Sequence, residues 1–334
     1  MLTTKFPKVN YIGNKQKLAS WIKDSLPLDN SYTVLDLFSG GTSVSYELKK
    51  HDYRVISNDV LFASFVISKA IIENNNTFLE PYHLMEAMQQ PITEEFNWLS
   101  EKLYYKYETE ELSQLINYSY KLKNYEKYVF LALLRRAMIR KLPYSRMNIT
   151  WKNIIKLRDE EYSYQKYGRR RAYHNLTFTE LMLSDLENYN QSIFDNGKDN
   201  IATQLDAMDA IKTFKNTADI LYIDPPYPGT MNKYSEFYGS FDQLFSKEIS
   251  YTDLTDSKTF PDKFEQIIKE ASYSYKYAII SLNNNIKPNL NEILSILNKY
   301  GDVSINSKKH NYQISGKENK NTNTEILAIV NFQL

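Results

Sequence analysis

Apolar residues fill almost every position of Tyr32-Thr-Val-Leu-Asp-Leu-Phe, and the run is closed by Ser39-Gly40-Gly41-Thr42. A short continuous apolar run bounded by a glycine turn reads as a strand buried on both faces. Helical spacing follows through about Lys50, then Arg54-Val-Ile-Ser-Asn-Asp predicts a second strand, and 61–72 a second helix. Upstream, Leu18, Trp21, Ile22 and Leu26 recur at helical spacing and predict a short amphipathic helix within 14–30. Strand, helix, strand, helix is how a parallel doubly wound sheet begins.

The alternation then stops. Residues 76–142 carry mostly helical spacing, clearest over 126–139, whereas 143–178 have no steady period. Strand and helix patterns resume over 219–224, 260–272, 277–282 and 289–299. Near the C-terminus, 302–307 and 324–332 bracket a polar stretch rich in Lys and Asn and read as an antiparallel hairpin at a sheet edge. The expected fold class is α/β, a doubly wound, mostly parallel Rossmann-like sheet with an antiparallel C-terminal hairpin. Residues 1–75 and 196–334 form that domain, and 76–195 form an inserted helical, basic domain.

The chain of 334 residues has no cysteine, which removes disulfide scaffolds, thiolate metal sites and cysteine nucleophiles together. Its four histidines lie far apart without metal-ligand spacing, so no metal is expected. No run approaches the roughly 18 apolar residues of a membrane helix, and the N-terminus has no secretion signal, so a cytoplasmic protein is expected. Net charge is only +1, but twelve basic and three acidic residues lie between 135 and 171, a local +9. Such a stripe suits phosphate contacts, although a solvated helix face with a charged loop has the same composition.

Three local patterns point to one pocket. Asp36-Leu-Phe-Ser-Gly-Gly-Thr runs from a strand end into a glycine turn, the place where parallel sheets bind ligands. Asp59 stands 23 residues later at the end of the next strand, where an acid holds a ribose diol or, alternatively, caps the following helix. Asp224-Pro225-Pro226-Tyr227 then closes the strand at 219–224. Two prolines remove two backbone donors and stiffen the turn. A carboxylate, a proline carbonyl and an aromatic ring thus converge on one point, which suits an exocyclic amino group on a planar base.

Together these segments resemble the DNA adenine-N6 methyltransferases of the alpha group, the class that includes the Dam-type enzymes. The likeness covers most of the chain outside 76–195. Tyr11-Ile12-Gly13-Asn14-Lys15 resembles the family's N-terminal motif beside the methionine end of S-adenosylmethionine. Asp36, Phe38, Ser39, Gly40, Gly41 and Thr42 resemble its cofactor loop, Asp59 its ribose acid and Asp206 its adenine-holding acid. Asp224, Pro225, Pro226 and Tyr227 resemble its catalytic motif. The order of motifs is that of the alpha group. One departure is Thr42, which stands where the family's Asp-x-Phe-x-Gly-x-Gly has its last glycine. The hairpin from Lys308 to Glu325 resembles the family's C-terminal end only loosely.

The resemblance implies transfer of a methyl group from S-adenosylmethionine to adenine N6 in a specific double-stranded DNA site, with a flipped base and direct attack. It also implies a modification methylase paired with a restriction endonuclease. A cytosine-N4 enzyme, an RNA methyltransferase and a non-catalytic DNA-binding subunit share parts of the pattern. A nicotinamide-dependent oxidoreductase shares the glycine turn and Asp59 but leaves the Pro-Pro-Tyr turn unexplained. Without cysteine, cytosine-C5 chemistry is excluded. The DNA-contact candidates are Arg135, Arg136, Arg140, Lys141, Tyr144, Arg146, Asn148, Trp151 and Lys152, with Arg169, Arg170 and Arg171 as a second cluster. Lys15 either reaches the pocket or is solvated, and Tyr234 and Tyr238 either hold the base or cap the core.

Overall fold

A computed structural model describes residues 4–27, 31–168, 175–231, 233–284, 286–309 and 324–333. The chain forms two compact units, one of residues 13–60, 196–234 and 249–334 and the other of 1–12, 61–195 and 235–248. Among the described residues no helix is long and apolar enough to cross a membrane.

The first unit holds a seven-stranded sheet: β1 (Thr33–Asp36), β2 (Arg54–Asn58), β3 (Ile201–Thr203), β4 (Ile220–Ile223), β5 (Tyr277–Asn283), β6 (Asp302–Lys309) and β7 (Thr324–Asn331). Their order is β3-β2-β1-β4-β5-β7-β6. The first five strands in that order run parallel, and β7 is antiparallel to both β5 and β6. β1 and β4 are buried at every position, as strands covered on both faces must be. β6 is exposed almost throughout and ends in Lys308 and Lys309, charges that discourage edge pairing. Phe214, Phe260, Phe264, Ile267 and Ile293 pack from the helices onto Leu221, Ile223 and Ile280.

Chain direction positions the site. From β1 the chain builds outward through β2 and β3, then returns to lay β4 and β5 on the other side, so β1 and β4 flank the point where the order reverses. Asp36 pairs with Tyr222, so the glycine loop and the Asp224 turn leave the sheet side by side. β7 runs the opposite way, and its register with β5 sets Glu325 beside Asn283 at that same rim.

The second unit is helical. Its longest helix, Asn124–Arg140, is buried at every residue from Val129 onward and packs against Phe178–Asn190 and Phe62–Ser68. The boundary expected at 75/76 therefore falls at 60/61 instead. Phe62–Ser68 and the π-helical turn Lys69–Glu73 are buried at most positions and packed against the long helix. The amides of Phe62 and Ala63 each donate to Asp242 at 2.8 Å, tying residues 235–248 to the same unit.

Candidate active site

The glycine loop is shaped by its backbone. Gly40 has φ +50° and Thr42 φ +64°, so Thr42 adopts the left-handed conformation that glycine adopts most easily. The departure at this position changes the side chain and keeps the turn, at a cost of about 1–2 kcal/mol for an L residue. The amide of Thr42 donates to the Ser39 carbonyl at 2.7 Å, and the Gly40 amide to Asp59 Oδ2 at 2.8 Å. Asp59 is thus a brace for the loop. The first amides of the helix Phe62–Ser68 are held by Asp242.

Polar atoms at the end of β1 are buried without a hydrogen-bond partner among the described residues: Asp36 Oδ1, Ser39 Oγ and Thr42 Oγ1. Asp36 Oδ2 accepts from Ser45 Oγ at 2.6 Å. Burial pushes the Asp36 carboxyl up to about 7, with Asp224 and Asp59 adding to the rise and Ser45 opposing it. Unpaired buried acceptors next to a strained loop are unusual in a settled core and suit a polar ligand. Phe38 is half-buried beside them.

At the end of β4, the Asp224 side chain is 23% exposed, and Lys15 Nζ lies 3.4 Å from its Oδ1. Burial lifts the Asp224 carboxyl to about 6, Lys15 pulls it down and Glu325 pushes it up. Lys15 therefore reaches the pocket. Its Nζ is closer still, 2.6 Å, to Glu325 Oε1, whose side chain is fully buried. Lys15 follows Gly13, where φ is +81° and a Cβ would come within 2.7 Å of the Tyr234 hydroxyl. Tyr11 and Ile12 fall in the helical unit, where the Ile12 amide donates to the Tyr238 hydroxyl at 2.8 Å and the Tyr11 and Tyr238 rings stack at 4.7 Å.

The Asp224-Pro225-Pro226-Tyr227 turn differs from expectation in two details. The Pro225 carbonyl accepts the Tyr227 amide at 2.8 Å, so only its second lone pair remains for a ligand. Tyr227 is 4% exposed, with its ring 5.4 Å from Phe260, so it packs into the core instead of standing as an open stacking platform. Pro226 is half-buried beside it. Asp206 also works locally, since it caps the helix Ala207–Phe214 through the Met208 amide at 2.9 Å and accepts the Thr252 amide at 2.6 Å.

The largest correction concerns the basic stripe. Arg135, Arg136, Arg140 and Lys141 are buried, with Arg135 fully enclosed. Arg135 donates to the Val9 carbonyl at 2.6 Å and lies over the Tyr238 ring. Arg136 and Arg140 both pair with Asp185, while Lys141 and Arg158 share Glu108. These groups hold the helical unit together and are not presented to a nucleic acid. Tyr144, Asn148 and Lys152 are exposed, and Arg146 and Trp151 partly so. Tyr144 and Ser145 both have left-handed φ, +60° and +55°. Arg169, Arg170 and Arg171 lie outside the described residues.

Comparison with known proteins gives this geometry a family. The D12 class of N6 adenine-specific DNA methyltransferases matches residues 11–287. The chain is 41% identical to the type II methyltransferase M2.HphI of Haemophilus parahaemolyticus over 99% of both chains. It is 28% identical to the modification methylase StsI of Streptococcus sanguinis over 96% of this chain and 51% of the relative. With the type II methyltransferase M.FokI of Planomicrobium okeanokoites the identity is 26%, over 88% of this chain and 46% of the relative. The chain thus spans about half the length of the last two. The family match takes in Lys15, Asp36 and Asp224, and the chain belongs to the D12 class of N6 adenine-specific DNA methyltransferases.

Proposed function

We propose that the chain is the modification methylase of a restriction–modification system, using S-adenosylmethionine to methylate adenine N6 within one duplex DNA sequence. The observation that carries this is the juxtaposition at the β1/β4 rim. Buried acceptors without partners among the described residues, at Asp36, Ser39 and Thr42, stand beside a half-buried carboxylate on a Pro-Pro turn. A cognate endonuclease sharing the site is the implied partner, and bacterial DNA places the reaction in the cytoplasm.

The donor set fits the cofactor. Asp36 Oδ1 would accept from a ligand ammonium, Ser39 and Thr42 offer hydroxyls, and Asp59 would hold the ribose. Gly13, Gly40 and Gly41 let backbone approach closely. When bound, S-adenosylmethionine supplies an electrophilic methyl group on a sulfonium.

The protein's own contribution is acceptance and exclusion. Adenine N6 is a weak nucleophile because its lone pair is spread into the ring. Asp224 and the second lone pair of Pro225 accept its two N–H bonds and favour a pyramidal nitrogen with a localised pair. Pro226 keeps the turn stiff, so the acceptors do not reorganise as the reaction proceeds. The base must leave the helix, at a cost of a few kcal/mol. Tyr144, Arg146, Asn148, Trp151 and Lys152 are the contact set, together with Arg169, Arg170 and Arg171.

The test is transfer of tritiated methyl from S-adenosylmethionine to unmethylated duplex DNA, followed by nucleoside analysis. Label in N6-methyladenosine is expected. Label confined to N4-methylcytosine or to RNA, or none despite bound cofactor, overturns the proposal.

A further inference from the structure

Glu325 has a place in this pocket that the substrate and cofactor do not explain. It is the second residue of β7, fully buried, at the start of the apolar run Ile326-Leu-Ala-Ile-Val. Its Oε1 accepts from Lys15 Nζ at 2.6 Å and from Ser281 Oγ at 2.8 Å. The same ammonium is 3.4 Å from Asp224 Oδ1. One lysine therefore stands between two carboxylates, nearer the buried one. At equal dielectric its attraction to Glu325 is about 1.3 times its attraction to Asp224.

We infer that Glu325 is a positioning residue that holds the Lys15 ammonium off Asp224, leaving the Asp224 carboxylate available to accept the amino group of the target base. Without a competing carboxylate, the lysine closes on Asp224 and takes up its acceptor directions. Asp224 then meets the base as half of a tight ion pair and is a poorer acceptor. Ser281, on β5, keeps the Glu325 oxygen in place by donating to it from the neighbouring strand. The antiparallel direction of β7 brings Glu325 to the carboxyl rim; in a parallel strand the first turn-side residue would emerge at the opposite edge.

The groups that act on Asp224 are Lys15 from the N-terminal segment, Glu325 from β7 and Asp36 from β1, with Tyr222 and Tyr227 flanking it. Glu325 raises the proton affinity of Asp224 and Lys15 lowers it. Glu325→Gln removes the first influence and strengthens the second by freeing the lysine. Both changes move Asp224 to lower pKa, so the acidic limb of activity moves to lower pH.

The inference rests on Asp224 as the acceptor, and the experiment separates the two. The pH dependence of kcat/KM for duplex DNA is measured for wild type, Glu325→Gln, Glu325→Asp and Asp224→Asn, with KM for S-adenosylmethionine as a second readout. For Glu325→Gln the acidic limb is expected to fall by about one pH unit. The plateau is expected to drop on the order of tenfold, with KM for the cofactor within about threefold. Glu325→Asp, which keeps the charge but withdraws it by one methylene, lies between the two. If Glu325→Gln does not fold, Glu325→Asp decides alone: a limb at lower pH supports the inference and an unmoved limb overturns it. A structural staple would weaken folding or cofactor binding and leave the limb where it is in wild type, which also overturns it. Substantial activity in Asp224→Asn removes the acceptor assignment itself. An inactive Asp224→Asn with an unmoved limb in the Glu325 variants removes only the role of Glu325.

Discussion

The two units bury charge in opposite ways. In the helical unit each of two buried carboxylates lies between two cations: Glu108 between Arg158 and Lys141, and Asp185 between Arg136 and Arg140. Burial raises the pKa of Glu108, but the two cations outweigh it and the carboxyl ends below its ordinary value. In the sheet unit two carboxylates, Asp36 and Asp224, are pushed up to about 7 and about 6, because nothing nearby fully compensates their burial. A carboxylate compensated on both sides belongs to the framework. An under-compensated one leaves acceptor capacity for a ligand, and that difference separates framework from site more reliably than charge content does.

Breaking a compensated cluster gives the largest effect. Glu108→Ala leaves Arg158 and Lys141 buried side by side without the carboxylate they share, and should cost about 3–5 kcal/mol of stability. Thermal denaturation measures this, while methyl transfer per folded molecule stays close to wild type at low temperature. The pH sign follows from the lowered pKa of Glu108. Its stabilisation is present above the ordinary value of 4.5 and disappears as pH falls through the folded value.

Asp36 has the opposite sign. Its folded pKa is raised, so its contribution to stability is fully present below 3.8 and is lost as pH rises to about 7. A ligand ammonium beside it favours the ionised form, so cofactor binding should release a proton and tighten up to about tenfold per pH unit below 7. Calorimetry in two buffers of different ionisation enthalpy detects that proton. Asp36→Asn should abolish its release and weaken binding at least tenfold; release unchanged in the variant removes Asp36 from the cofactor site.

The smallest effect sharpens the contrast on the basic stripe. Lys152→Ala, on an exposed position, should lower the slope of log K against log salt by about 0.9 for one lost phosphate contact, without affecting stability. An unchanged slope takes Lys152 out of the interface.

The candidate site is legible in the sequence where its parts are local. Asp36, Gly40, Asp59 and Asp224 each sit at a strand end within a short motif, and strand order brings those ends together. Glu325 is not, because its partner Lys15 is 310 residues away. A charged residue opening an otherwise apolar run is the one signal it leaves. The basic stripe misleads for a related reason. Asp185 pairs with Arg136 across 49 residues and Glu108 with Arg158 across 50, separations at which a linear reading cannot match charges. The long helix does carry a warning, since a helix apolar on all faces buries whatever basic residues it holds. β3 is three residues long, too short for periodicity to register. The helical segment around 62–73 reads as part of the sheet domain because sequence adjacency to β2 says nothing of the helix that covers it.

The 310-residue span between Lys15 and Glu325 also orders events in time. A ribosome adds about 5–20 residues per second, so the N-terminal motif waits on the order of 15–60 s for the strand that supplies its counter-charge. The glycine loop, Asp59 and Asp224 all emerge earlier. A nascent chain thus assembles its ligand loop long before the last strand of the sheet to be translated brings Glu325 to Lys15.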